Sequence, residues 1–207
     1  MIQFLDHPRW RSGFLAPLQV VDYRKLLGSN TLWWQALYME VLVMGWLVLE
    51  LTDSAWLVAI VGFCRSVPFL ISGNLSGLVA DQFGRRPVIY WMQALTLAAY
   101  AGVALLLITG QIAYWHLVVA SLLLGTAWSL DWPNRRALVP DLVGKSLTVE
   151  AILLENLGQG VARTVGPFLA GWILAVYGST GSFVALAIFS AVALVLLQML
   201  SQEPLER

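Results

Sequence analysis

Charge is what this chain has least of. Asp, Glu, Lys and Arg make up 12% of its 207 residues, about half the share of an ordinary globular domain. That leaves too little polar surface for a soluble fold. The formal net charge is +0, which argues against nucleic acid as a partner. There is one cysteine, Cys64, inside an apolar run, so neither a disulfide framework nor a cysteine metal site can form within the chain; Cys64 reads as a small packing residue. The two histidines are His7 and His116. With no G-x-S-x-G elbow, they do not supply the nucleophile and base of a membrane serine hydrolase. No phosphate-binding loop is found, which excludes ATP-driven transport within the chain. No catalytic residue, metal site or cofactor is expected.

What remains is apolar. Hydrophobic residues make up 59% of the chain and mean hydropathy is +0.75. Residues 1–25 carry Asp6, Arg9, Arg11, Asp22, Arg24 and Lys25 and lack the apolar run and cleavage site of a signal peptide. A bilayer core about 30 Å thick takes about 20 helical residues to cross. Six runs meet that length: Leu26–Leu51, Trp56–Val79, Val88–Thr109, Tyr114–Trp132, Ala151–Tyr177 and Ser182–Leu200. Between them lie turn residues: Thr52-Asp53-Ser54, an N-cap for the second helix; Gly110-Gln111; and Gly178-Ser-Thr-Gly181. Thr148 is placed to cap the fifth helix. The expected architecture is an all-α membrane bundle of six transmembrane helices. It has an N-terminal segment over 1–25, the bundle over 26–200, and the start of a linker or tail over 201–207.

The basic residues orient this bundle. Arg9, Arg11, Arg24, Lys25, Arg85, Arg86, Arg135, Arg136, Lys145 and Arg207 all fall on one side, and the opposite loops carry none. The excess of Lys and Arg predicts that this side, with both termini, is cytoplasmic, as in a multi-pass protein of the cell (inner) membrane. Trp33, Trp34, Trp56, Trp91, Trp115 and Trp132 fall near span ends, where indoles favour the interface. Trp46, Trp128 and Trp172 lie deeper, as packing or lipid-facing residues, and His116 reads as an interface residue.

Three charges fall inside the spans. Glu40 is near the middle of the first, Arg65 at a similar depth in the second, and Arg163 near mid-membrane in the fifth. A lone charge there is costly unless paired or wet. Glu40 and Arg65 are therefore expected to face each other or a shared cavity. A structural ion-pair network and a direct role in substrate or proton coupling both fit; a tight pair keeps a carboxylate ionised, whereas a proton carrier needs the pair to break. Gln35, Tyr38, Asn156 and Gln159 are further cavity candidates. Asp131 or Glu155 with Arg135 or Arg136 makes either a gate-like bridge or solvated loop charges.

One stretch carries more than composition. Gly77-Leu-Val-Ala-Asp81-Gln-Phe-Gly84-Arg85-Arg86-Pro87 resembles the loop 2–3 signature of the major facilitator superfamily, G-x-x-x-D-x-x-G-R-[RK]. Gly77, Asp81, Gly84, Arg85 and Arg86 all match, between the expected second and third spans. Gly77 is read as allowing a close helix approach, Gly84 a tight turn, and Asp81 a charge partner or cap. Leu49-Glu-Leu-Thr-Asp53-Ser54, Arg65-Ser-Val-Pro68 and Pro133-Asn-Arg135-Arg-Ala-Leu-Val-Pro140-Asp141 resemble the branch with enterobactin-type and macrolide-type exporters. Ala162-Arg-Thr-Val-Gly166-Pro167-Phe-Leu-Ala170-Gly171 is similar to the helix-five motif of drug/proton antiporters, with alanines replacing two glycines. Gly158, Ala162, Gly166 and Ala170 form a small-residue stripe for close packing, and Pro167 is expected to kink the helix. Many relatives carry an arginine mid-way along span four; here Arg135 and Arg136 sit at its cytoplasmic end.

The resemblance runs from about Pro17 to Leu200 and implies the six-helix N-terminal half of a twelve-helix transporter built of inverted three-helix repeats. It implies proton-coupled efflux of a small hydrophobic, drug-like or siderophore-like molecule. The partners implied are the lipid bilayer, the substrate, protons, and a missing C-terminal half or a second copy. The expectation is a fragment of a longer transporter. A parallel homodimer and a non-transporting assembly or regulatory protein are the alternatives.

Overall fold

A computed structural model describes residues 13–72 and 75–200. The basic residues Arg9, Arg11 and Arg207 and the expected linker over 201–207 lie outside the described residues. Every long element among those residues is a helix: α1 (Val21–Thr52), α2 (Ala55–Ser72), α3 (Leu75–Phe83), α4 (Arg85–Ile108), α5 (Tyr114–Val143) and α6 (Thr148–Gln198), with short 3-10 turns at Ala16–Gln19 and Lys145–Leu147. By length and composition α1, α4 and the stretch Lys145–Gln198 are apolar enough to cross a membrane, and Ala55–Leu70 is a shorter apolar helix.

Local chemistry sets the boundaries. Asp53 ends α1 in the left-handed region (φ 49°), and the Leu57 amide donates to Ser54 Oγ at 3.4 Å at the start of α2, as the Thr-Asp-Ser turn predicts. Gly110 takes φ 67° after α4. At the start of α5 the Ala113 amide donates to His116 Nδ1 at 3.0 Å, so His116 caps a helix rather than simply lining an interface. Thr148 does not cap α6: its hydroxyl donates to the Gly144 carbonyl at 2.8 Å, and Leu147 occupies the cap position without a side-chain bond.

The last two expected spans form one element. α6 has 51 residues and would be about 76 Å long if straight, over twice a bilayer core. It is broken at Gly178 (φ 67°, ψ −170°); the rest of the expected turn, Ser179 to Gly181, is helical. Pro167 lies within helical dihedrals. The two arms fold back on each other, as their contacts along α1 show. Gly158 faces Thr31 and Gly166 faces Tyr38 on the first arm, while Gly28 faces Leu196 on the second. Ser179 donates to Glu50 at 2.7 Å and Ser29 to the Ala193 carbonyl at 2.9 Å. α1 thus runs parallel to the first arm and antiparallel to the second. The end where α1 starts is called the base below.

Around α1 the interior is layered. Near the base an apolar cluster joins Tyr23, Leu26, Ile89, Leu138, Leu142 and Leu197. Near the top a larger one joins Met39, Val43, Leu47, Tyr100, Leu117 and Phe183. Between them lies a polar layer centred on Arg135, which is 2% exposed. Its guanidinium donates from Nε to Asp131 at 2.8 Å, from Nη1 to Asn30 Oδ1 at 2.8 Å and Ser29 Oγ at 3.2 Å, and from Nη2 to Gln93 Oε1 at 2.7 Å. Gln93 Nε2 donates onward to the Ser190 carbonyl at 3.0 Å and Oγ at 2.9 Å. Asn30 Nδ2 donates to Glu155 at 2.6 Å. One cation therefore joins α1, α4, α5 and both arms of α6. This corrects the placement of Arg135 in a cytoplasmic loop: α5 runs eleven residues past Trp132, through Pro133 and Pro140, to Val143.

α2 crosses α5 at Gly125, where any β-carbon would collide with the Arg65 carbonyl. Gly77, by contrast, has nothing among the described residues within reach of a β-carbon, so no close approach of the expected kind is seen there. Gly125→Ala is expected to lower the thermal midpoint of the purified chain, whereas Gly77→Ala, in an exposed helical position, is expected to leave it unchanged or raise it slightly. Removing one partner of a buried ion pair costs about 3–5 kcal/mol. Arg135→Leu is therefore expected to unfold the chain at much lower temperature in a detergent melting series. Arg163→Leu, which removes an exposed cation, is expected to leave the midpoint in place.

Candidate functional site

Ten residues beyond Asn30 on α1, about 15 Å along the axis, lies a second polar level. Glu40 is fully buried, and its Oε2 is 2.9 Å from Arg65 Nη1 of α2. Turn chemistry explains the meeting: Asp53 and Ser54 reverse the chain, so two carriers at similar distances from the turn face each other. The contact is an ion pair without hydrogen-bond alignment, and Tyr100 of α4 lies within electrostatic reach of both groups. This pair has fewer ties than Arg135, for it joins only α1 and α2.

Arg163 does not join it. It is exposed on the first arm of α6 and pairs with no described residue. The ion-pair network does not extend to this candidate, because Arg163 sits one position after Ala162, which is 1% exposed and turned inward. The stripe itself faces α1: Ala162 and Ala170 are buried, and a β-carbon on Gly166 would press on Tyr38 Cβ at 2.9 Å. Gly171 lies off the stripe with nothing within reach.

Of the amide and phenol candidates, Gln159 Nε2 donates to the Tyr38 hydroxyl at 3.2 Å, and Gln35 lies beside Gly166. Asn156, Gln159, Glu155, Arg136, Trp34 and Trp132 line a cleft between α1, α5 and the first arm of α6, with Arg135 at its floor. Sequence reasoning missed the floor and the tryptophans. Trp33 and Trp34 are 4% and 7% exposed, not interface residues, and the Arg135 guanidinium lies 5.1 Å from the Trp33 ring centre. Trp56, Trp91 and Trp115 are exposed near helix ends.

The loop 2–3 motif docks on α5. It is helical except at Gly84 (φ 82°), which separates α3 from α4 by a single residue. Arg85 donates to Asp141 at 2.6 Å and to the Ala137 carbonyl at 3.1 Å. Asp81 is exposed and has no partner among the described residues.

Comparison with known proteins agrees with this architecture. The family model described as transmembrane secretion effector matches residues 12–205. The chain is also similar to the staphyloferrin A transporter of Staphylococcus aureus (strain NCTC 8325 / PS 47), with 32% identity over 155 residues, 74% of this chain and 39% of that protein. The chain thus spans about two fifths of that relative's length. With a family match over nearly all of its helices, the chain is a multi-pass membrane protein that belongs to the transmembrane secretion effector family of the major facilitator superfamily.

Proposed function

We propose that this chain is the six-span N-terminal half of a secondary transporter that exports a small hydrophobic molecule at the expense of a proton gradient. The base of the bundle, which carries Arg24, Lys25, Arg85, Arg86, Arg136 and Lys145, faces the cytoplasm of the cell membrane under the positive-inside rule. A second six-helix bundle closes the cavity. The similarity to a protein named as a staphyloferrin A transporter supports a small molecule as cargo.

The observation that carries the reading is the buried Glu40–Arg65 pair. At contact distance the guanidinium stabilises the carboxylate charge. When α2 moves away from α1 in an apolar setting, a lone carboxylate costs less with a proton on it. Breaking and re-forming this contact would couple helix movement to proton uptake and release. Arg65 is 16% exposed at its side chain, while the Nη1 that meets Glu40 is buried. Cleft and pair share α1, and so the helix that holds the carboxylate also lines the cargo path.

The test is efflux of the apolar dye Nile red from proteoliposomes holding the complete transporter, this half joined to its second bundle. With an imposed pH gradient, Glu40→Gln is expected to reduce gradient-driven efflux to the level of protein-free vesicles while its melting curve keeps a single folded transition. Gradient-driven efflux at the wild-type rate in that variant would overturn the carrier role.

A further inference from the structure

Six aromatic residues of α1, α2 and α5 form one continuous run of rings. Phe69 stacks on Trp128 with centroids 5.0 Å apart, and Trp128 stacks on Trp132 at 6.0 Å. Trp132 meets Trp34 edge-on at 6.3 Å. Trp34 in turn stacks on Tyr38 at 6.0 Å and meets Trp33 edge-on at 4.6 Å. The run begins one turn beyond Arg65 on α2 and ends over Arg135, so it bridges the two polar levels.

Three observations mark it as more than packing. Five of its rings belong to an apolar cluster separate from the two main cores; Trp33, Trp34 and Trp132 line the cleft, and Tyr38 and Trp128, partly exposed, continue the run beyond it. Two donors of or beside it, Trp128 Nε1 and Gln35 Nε2, are buried with no acceptor among the described residues; a buried donor left unpaired costs about 1–3 kcal/mol, so an acceptor brought by a ligand has a ready place. Charge is balanced: Arg135 is held by Asp131, and Glu155 lies within electrostatic reach of Arg135 and Arg136. Asp131 and Glu155 offset Arg135 and Arg136 in formal charge, and the stacked rings with the amides of Asn156 and Gln159 favour a flat molecule with a polar edge over an ionic one.

We infer that this aromatic run is the cargo wall, and that the cargo class is an uncharged, planar aromatic molecule with a carbonyl or amide edge. The inference rests on the transport reading above and sharpens it, because it ranks uncharged aromatic rings above polycarboxylates as the cargo of this cleft.

The experiment is equilibrium binding of radiolabelled coumarin, an uncharged planar lactone, to the full chain in nanodiscs, with citrate as competitor. Saturable coumarin binding that citrate does not displace is expected. Trp132→Leu is expected to weaken it about tenfold. Trp132→Phe, which keeps a ring, retains most of the affinity, and Trp172→Leu, on an exposed face of α6, leaves it unchanged. Should Trp132→Leu fail to fold in a melting scan, Phe69→Leu at the exposed end of the run serves instead and is expected to weaken binding several-fold. Unchanged coumarin binding in a folded Trp132→Leu or Phe69→Leu variant, or displacement by citrate, would overturn the inference. Binding that follows these rings without coumarin efflux from proteoliposomes holding the complete transporter, this half joined to its second bundle, supports the wall and overturns the transport reading. Efflux indifferent to both variants overturns the wall and leaves the transport reading standing.

Discussion

The guanidinium of Arg135 is the constraint on which the packing of this bundle depends. In lipid the hydrophobic effect does not draw one apolar helix onto another, so close packing and interhelical hydrogen bonds must set the register. Here a single side chain supplies bonds to α1, α4 and its own helix, and Gln93 and Asn30 extend them to both arms of α6. Rotating any of these helices would strand a buried polar group. The layer thereby fixes which faces meet.

The two polar levels differ in how firmly they are held. Around Arg135, three helices and both arms of a fourth converge on one cation. Around Glu40, two groups on two helices meet at 2.9 Å without hydrogen-bond alignment. α2 rests on α5 through the Gly125 crossing and ends at Ser72. On the proposed reading, the lower level keeps the bundle one body while the upper level is where a proton and a helix movement exchange energy. The aromatic run lies between the levels, within reach of both.

Much of this was legible in the sequence, for reasons that also explain the misses. Glu40 and Arg65 could be matched in depth because Thr52-Asp53-Ser54 fixes where the chain turns, and a helix advances a constant distance per residue. The Gly158 stripe was legible because its spacing of four residues keeps one helix face. Arg135 was not: two adjacent arginines after a proline look like a loop, and only the contacts of α5 with α1 and α4 reveal that the helix continues and that one arginine turns inward while Arg136 stays exposed. Trp33 and Trp34 were misread for a related reason, since distance from a span end says nothing about which face a ring occupies. Arg163 was misread because depth alone cannot distinguish the stripe from the position beside it. Gly77 matched a motif letter for letter, yet nothing packs against it among the described residues; the motif's hold on α5 runs through Arg85 and Asp141.

The central claim is that Arg135 acts as a shared node rather than as one of several independent bonds. A double-mutant cycle on thermal stability with Gln93→Leu, Arg135→Leu and the pair tests it most directly. A coupling of about 0.5–3 kcal/mol is expected, the range for residues of one network, because Gln93 loses its bond to α5 once the guanidinium is gone. Strict additivity of the two single losses would contradict it.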